Sequence, residues 1–297
     1  MKALRVLWWS AAGLLAILGL LAVGVVLLSQ RKYERTLDIK AAPVAYVDTP
    51  EAVARGKYLF ESRGCAECHG SNGAGRVFID NGASMRARSP NITRGPGGVV
   101  GKYTEVDWVR AIRHGVKPDG RPILIMPSED YNRLTDADLA AVVAYVRALP
   151  AVEGAAAEFT LPFIFKAMYV AGVVTDAPER VNHSLPPAQP VAEQVSAAHG
   201  AYVANMCIGC HGAQLAGGKI PGGPPDWPAA ADLTPASAVM KSYDSVDKFK
   251  SMLRTGKSPD GRALQVMPFP TLKQLNDTDV DALYLYLKAL PVSAGKG

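Results

Sequence analysis

The sequence predicts an all-α protein: two copies of one small helical module behind an N-terminal helix long enough to cross a membrane. Three observations carry that prediction. An uncharged apolar stretch runs from Val6 to Leu28, the chain matches itself at a nearly constant offset of 141–142 residues, and apolar helical stripes recur in both copies. The expected divisions are an anchor at 1–30 with its helix at about 6–28, a linker at 31–50, a first module at 51–150, an interdomain linker at 151–187 and a second module at 188–297.

The apolar stretch is 23 residues long with one polar side chain, Ser10. At about 1.5 Å per residue it spans roughly 34 Å, enough for a hydrocarbon core of about 30 Å. Trp8 and Trp9 stand near one end, where indoles favour the interface, and Arg31, Lys32 and Arg35 follow the other. A secretory signal has a shorter apolar core before a small-residue cleavage site. Leu28-Ser29-Gln30-Arg31 is a poor cleavage sequence, so an uncleaved anchor is expected. Positive charge flanks both ends and leaves orientation open.

The repeat is detailed. Cys65-Ala66-Glu67-Cys68-His69-Gly70 returns as Cys207-Ile208-Gly209-Cys210-His211-Gly212, and Asn91-Ile92-Thr93 as Asp232-Leu233-Thr234. The run from Arg113 to Arg121 returns from Arg254 to Arg262, and Met126-Pro127 as Met267-Pro268. Thr49-Pro50-Glu51 supplies an N-cap, a first-position proline and an acidic first turn for the opening helix. Thr135 and Asp138 resemble a capping box, with Leu139, Val142, Val143 and Val146 forming the stripe behind it. In the second copy Asn276 precedes Val280, Leu283, Tyr284 and Leu287. Glycine and proline punctuate long loops between these helices, and no convincing strand is expected. Phe159 to Val174 is apolar but too short to span, so it reads either as a linker packed on one module or as a segment lying on a membrane or partner.

Composition narrows the function. Hydrophobic residues at 48% and charged residues at 20% exclude a disordered chain, and 297 residues suit two domains. The net charge of +5 contains no run of five or six like charges, so no nucleic-acid partner is expected.

The four cysteines, Cys65, Cys68, Cys207 and Cys210, carry the chemistry. Cys-x-x-Cys-His is the attachment signature of c-type haem: cysteines three apart on a helical turn reach both vinyl groups, and the next histidine is held against the iron. A shared zinc site would have to join pairs far beyond the usual spacing, and a thioredoxin-like dithiol lacks its βαβ setting. Disulfides leave the two histidines unexplained. His69 and His211 are the expected axial ligands, and Met126 and Met267, some 56–57 residues further on and each before proline, the opposite ones. Met85, Met168, Met206, Met240 and Met252 read as core filler. His114 has no counterpart in the second copy and reads as a surface residue, and neither His183 nor His199 carries a role. Trp108 and Phe249 fit either the haem edge or plain core; Arg113 and Arg254 are candidate partners of haem propionates.

These residues resemble class I cytochromes c. In the first copy, Ser89-Pro90-Asn91-Ile92-Thr93, Met126-Pro127 and Leu134-Thr135-Asp136 occur in an order similar to the cytochrome subunits of bacterial membrane-bound alcohol, aldehyde and sugar dehydrogenases. Leu161-Pro162-Phe163 is similar to their linkers. The chain departs from many of them in having two attachment motifs instead of three, and its N-terminal anchor is also similar to a dihaem oxidase subunit. The resemblance implies two tandem class I cytochrome c domains carrying two covalently attached haem c groups. It implies cofactor-binding Cys65, Cys68, Cys207 and Cys210 and iron ligands His69, Met126, His211 and Met267. It also implies haem domains in the periplasm, tethered to the bacterial inner membrane by a single pass and working in a hetero-oligomeric complex with redox partner proteins. The expected role is single-electron relay from a dehydrogenase to the respiratory chain, the protein itself not being the enzyme. Alternatives are a subunit of a terminal oxidase or quinol-oxidising complex, a tethered shuttle or, against the two Met-Pro pairs, a dihaem peroxidase.

Overall fold

The computed structural model describes residues 2–82, 85–221, 223–224 and 226–291. Residue 1 of the anchor and residues 292–297 of the second module lie outside the described residues. Helix α1 runs from Lys2 to Glu34, longer than the expected 6–28, because nothing after Leu28 breaks it. Most of its large apolar side chains stand free of the protein: Leu7, Trp8, Leu15, Leu20 and Leu21 are all more than 60% exposed.

The first module holds α2 (Pro50–Ser62), α3 (Cys65–His69), β1 (Val77–Asp80), β2 (Arg86–Arg88), α4 (Glu105–His114), α5 (Ser128–Tyr131) and α6 (Asp136–Ala148). The Thr49 hydroxyl accepts from Ala52 N and that of Thr135 from Asp138 N, as the capping residues predict. Helices α2 and α6 cross where Gly56 meets the backbone of Ala141; a Cβ on Gly56 would lie 1.9 Å from the Ala141 oxygen. Leu59, Phe60, Trp108, Leu139 and Val143 fill the core behind that crossing.

The segment joining the modules corrects the expectation that no strand forms. β3 (Glu158–Thr160) pairs with β2, which pairs with β1, giving a small antiparallel sheet that no local pattern announces. Next comes α7 (Phe163–Val170), packed against α1, and a short 3-10 turn over Ala177–Arg180. The linker is therefore folded against both the first module and the anchor.

The second module repeats the plan with α8 (Ala197–Ala204), α9 (Ile208–His211), α10 (Ala238–Ser242), α11 (Val246–Thr255), α12 (Phe269–Leu272) and α13 (Asp277–Ala289). Asn276 caps α13, its Oδ1 accepting from Asp279 N. Gly200 stands 1.9 Å in the same sense from the Ala282 oxygen, so α8 and α13 cross as α2 and α6 do. Met240, Met252, Phe249, Val280 and Leu283 form the second core. Trp108 and Phe249, 5% and 3% exposed, are both core residues.

Candidate haem sites

In the first module Gly64, at φ 85°, turns the chain into α3, and Gly70, at φ 74°, ends it immediately after His69. Cys65 and Cys68 thus share one face of a single helical turn. In the second module a 3-10 turn ends at Cys207, α9 follows, and Gly212 at φ 77° stops it after His211. The four thiols form no disulfide. Burial pushes those of Cys65 and Cys207 up to about 12 and raises those of Cys68 and Cys210. A reactive dithiol requires the opposite shift.

Both histidines are held alike. His69 Nδ1 lies 3.2 Å from Pro90 O and His211 Nδ1 lies 2.8 Å from Ala231 O. A carbonyl only accepts, so Nδ1 carries the proton and Nε2 keeps a free lone pair. Burial lowers both imidazole pKa values, against the pull of those carbonyls, and so keeps the neutral, metal-binding form. The repeated Asn/Asp-x-Thr motif explains the carbonyl: Asn91 Oδ1 accepts from Thr93 N at 2.8 Å and Asp232 Oδ1 from Thr234 N at 2.7 Å, fixing the residue just before each turn.

The methionines also share a local geometry. Pro127 at φ −79°, ψ 59° and Pro268 at φ −78°, ψ 66° form inverse γ-turns, closed by Ser128 N donating to Met126 O and Phe269 N to Met267 O at 2.8 and 2.9 Å. Met126 packs on the apolar cluster that also takes in Cys65 and Ile92, and Met267 on the one that takes in Cys207 and Leu233. Two thiols, a neutral imidazole with one free nitrogen and a thioether at the same apolar cluster are a donor set that fits haem c with His/Met ligation.

The cytochrome c family model matches residues 53–150 and again 196–291. The chain belongs to the cytochrome c family. It is similar to the fructose dehydrogenase cytochrome subunit of Gluconobacter japonicus, 28% identical over 83% of this chain and 54% of that subunit. It is also similar to the cytochrome c subunit of the quinone alcohol dehydrogenase of Gluconobacter oxydans, 28% identical over 84% of this chain and 57% of that one. A diheme cytochrome c-type protein of Cereibacter sphaeroides is 26% identical over 86% of this chain and 92% of its own. The chain thus spans little more than half the length of the two dehydrogenase subunits.

The two cytochrome domains grip each other through an approximate two-fold exchange that the sequence did not announce. Tyr58 Oη donates to Asp279 Oδ2 and accepts from Asn276 N, the start of α13. Tyr202 Oη donates to Asp138 Oδ2 and accepts from Thr135 N, the start of α6. Asp279, wholly buried, also takes Arg63 Nη2 at 2.6 Å and His199 Nε2 at 2.7 Å. Burial alone would raise its pKa, but the Arg63 guanidinium holds it below the ordinary value.

Close to the attachment motifs the exchange continues. Gly209 N donates to Asp130 Oδ1 at 2.8 Å, and Thr271 Oγ1 donates to Glu67 Oε1 at 3.1 Å. Each attachment motif therefore touches the turn that follows the other domain's Met-Pro pair. Burial pushes the Asp130 carboxyl up to about 8, with the Gly209 N–H opposing it.

Two histidines depart from expectation. His114 is buried, 7% exposed, with Nδ1 3.0 Å from Nδ1 of His183, so it is no surface residue and His183 is its partner. The burial follows from the folded linker, which places His183 over the end of α4. Arg113 bonds Leu134 O and Asp136. Arg254 bonds Lys273 O and Asp277, so both arginines secure the start of a last helix.

Proposed function

We propose that this chain is a membrane-anchored dihaem electron carrier, the electron-transfer subunit of a membrane-associated dehydrogenase that passes single electrons towards the respiratory chain. Cys65, Cys68, Cys207 and Cys210 would hold the two haem c groups by thioethers, with His69, Met126, His211 and Met267 as iron ligands. The observation that carries this is the duplicated site: the same free Nε2, paired thiols and Met-Pro turn occur twice, and both motifs adjoin one domain boundary.

Bound haem c supplies reversible one-electron exchange at its iron. The chain supplies the rest. Pro90 O and Ala231 O hold each imidazole in one tautomer and orientation, and the apolar clusters around Cys65 and Cys207 exclude water. The tyrosine caps and the Arg63–Asp279 pair fix the two domains, so an electron crossing the boundary demands little rearrangement.

An uncleaved anchor is supported by the way α1 ends. Arg35 makes a two-pronged ion pair, at 2.6 and 2.9 Å, with Asp176, whose side chain is fully buried, and Lys32 pairs with Glu179 at 3.0 Å. Cleavage after the apolar stretch would free α1's last turn from its helix, and loss of that turn would leave a buried carboxylate without its guanidinium. Haem attachment outside the cytoplasm would put the domains in the periplasm.

The test is solubilisation from native membranes in mild detergent, then mass spectrometry of the proteins that accompany the chain. A flavin, quinoprotein or molybdenum dehydrogenase subunit is expected. A haem–copper oxidase or quinol-oxidising complex in its place would overturn the dehydrogenase assignment.

A further inference from the structure

We propose that α7 is a second membrane contact, seated in the lipid beside α1 with Phe163 and Ile164 among the acyl chains. This rests on α1 being a retained anchor.

Seven of the eight residues of α7, Phe-Ile-Phe-Lys-Ala-Met-Tyr-Val, are apolar or aromatic, the exception being Lys166. Phe163 and Ile164 are 51% and 65% exposed, and Val173 just beyond the helix is 67% exposed. Large apolar groups so placed beside one another call for a cover.

The identity of the cover follows from where α7 lies. It packs against α1, on the C-terminal part of that helix, where Lys32 meets Tyr169. There Ser29 is buried and Ala22 and Val25 are partly buried, a stripe at helical spacing on a helix whose large apolar side chains are mostly exposed. Lys32 Nζ donates to Tyr169 O at 2.9 Å, tying the C-terminal end of α7 to the charged end of α1. Arg35 and Asp176 hold the chain just after α7 at the same level. At about 1.5 Å per residue, the six steps from Tyr169 to Phe163 reach back roughly 9 Å from that tie, and Ala22 lies about 15 Å along α1 from Lys32. Phe163 and Ile164 therefore fall beside the apolar stretch that ends at Leu28.

Lipid that surrounds α1 is continuous with the exposed face of α7. Lys166, partly buried, has a stem long enough to bring its ammonium back to the headgroups where Arg31 and Lys32 lie. The cytochrome domains would then be held to the bilayer by a helix pair, which restrains their tilt as a single helix does not.

The test uses the full haem-loaded chain in vesicles of phosphatidylcholine and phosphatidylglycerol. Thioether bonds consume the native cysteines, so Ile164→Cys, Leu18→Cys and Lys257→Cys each accept one environment-sensitive fluorophore. The Ile164→Cys label should be quenched by acyl-brominated lipid at least half as strongly as the Leu18→Cys label, and be several-fold less accessible to aqueous iodide than the Lys257→Cys label. Iodide quenching equal to that at Lys257→Cys, with Leu18→Cys protected and the protein resisting alkaline carbonate, overturns the proposal for α7 alone. Shielding from both quenchers means a protein cover and overturns the lipid assignment. Iodide access at Leu18→Cys with release by carbonate removes the anchor, and α7's role with it.

Discussion

A hydrogen bond on the second ring nitrogen fixes the tautomer and orientation in which a histidine can serve iron, and both attachment histidines have one through a single backbone carbonyl each. The motif residues were legible because their chemistry is local: two cysteines, a histidine and a Met-Pro pair announce themselves by spacing. The role of Asn91 was not, since its 0% exposure and its bonds to Pro96 O and Val152 O depend on chain returning from 61 residues away. Replacing Cys65 and Cys68 together by alanine should lower haem from two per chain to one, read by pyridine haemochrome absorbance against protein mass. Asn91→Ala should destabilise the first domain by about 1–3 kcal/mol, through carbonyls left without donors, in denaturant titration. Burial, with the neighbouring His183 and Arg113, pushes the His114 imidazole down to about 4 from 6.5. The unfolded chain then takes up the proton first, so this group's contribution is complete above about pH 6.5 and is lost as pH falls towards 4. Wild type should accordingly lose more stability than His114→Phe between pH 7 and pH 5; equal losses would show that His114 is not held neutral.

Helices with caps and long apolar stripes could be read directly, and α2, α6 and α13 begin where Thr49, Thr135 and Asn276 place them. The three strands could not: each has three or four residues, and β3 finds β2 across about 70 residues of chain. What the stripes also hid is the exchange between domains, because Tyr58 and Tyr202 look like ordinary helix residues until the partner's cap is beside them. Tyr58→Phe should cost about 1–2 kcal/mol and loosen the boundary, seen as faster amide exchange at the start of α13. Asp279→Ala leaves the Arg63 guanidinium buried without its partner and should cost about 3–5 kcal/mol in chemical denaturation. A loss under 1 kcal/mol would show that the boundary does not depend on this pair.

For the whole molecule, the duplication was evident from the sequence and the arrangement of the copies was not. Repeated motifs say that two similar modules exist; they say nothing of Asp130 reaching Gly209 or Glu67 reaching Thr271, contacts that bring the attachment motifs to one boundary. The linker tells the same story, an apolar stretch of uncertain purpose that becomes a strand and a helix only with β2 and α1 as partners. The proposed function requires this single body to carry two haems and to exchange electrons one at a time. Potentiometric titration of the detergent-solubilised full chain, followed by visible absorbance, tests it most directly. Two haems per chain, reduced reversibly in two one-electron steps and inert to carbon monoxide, are predicted. One haem or none, or an iron that binds carbon monoxide readily, would contradict the account.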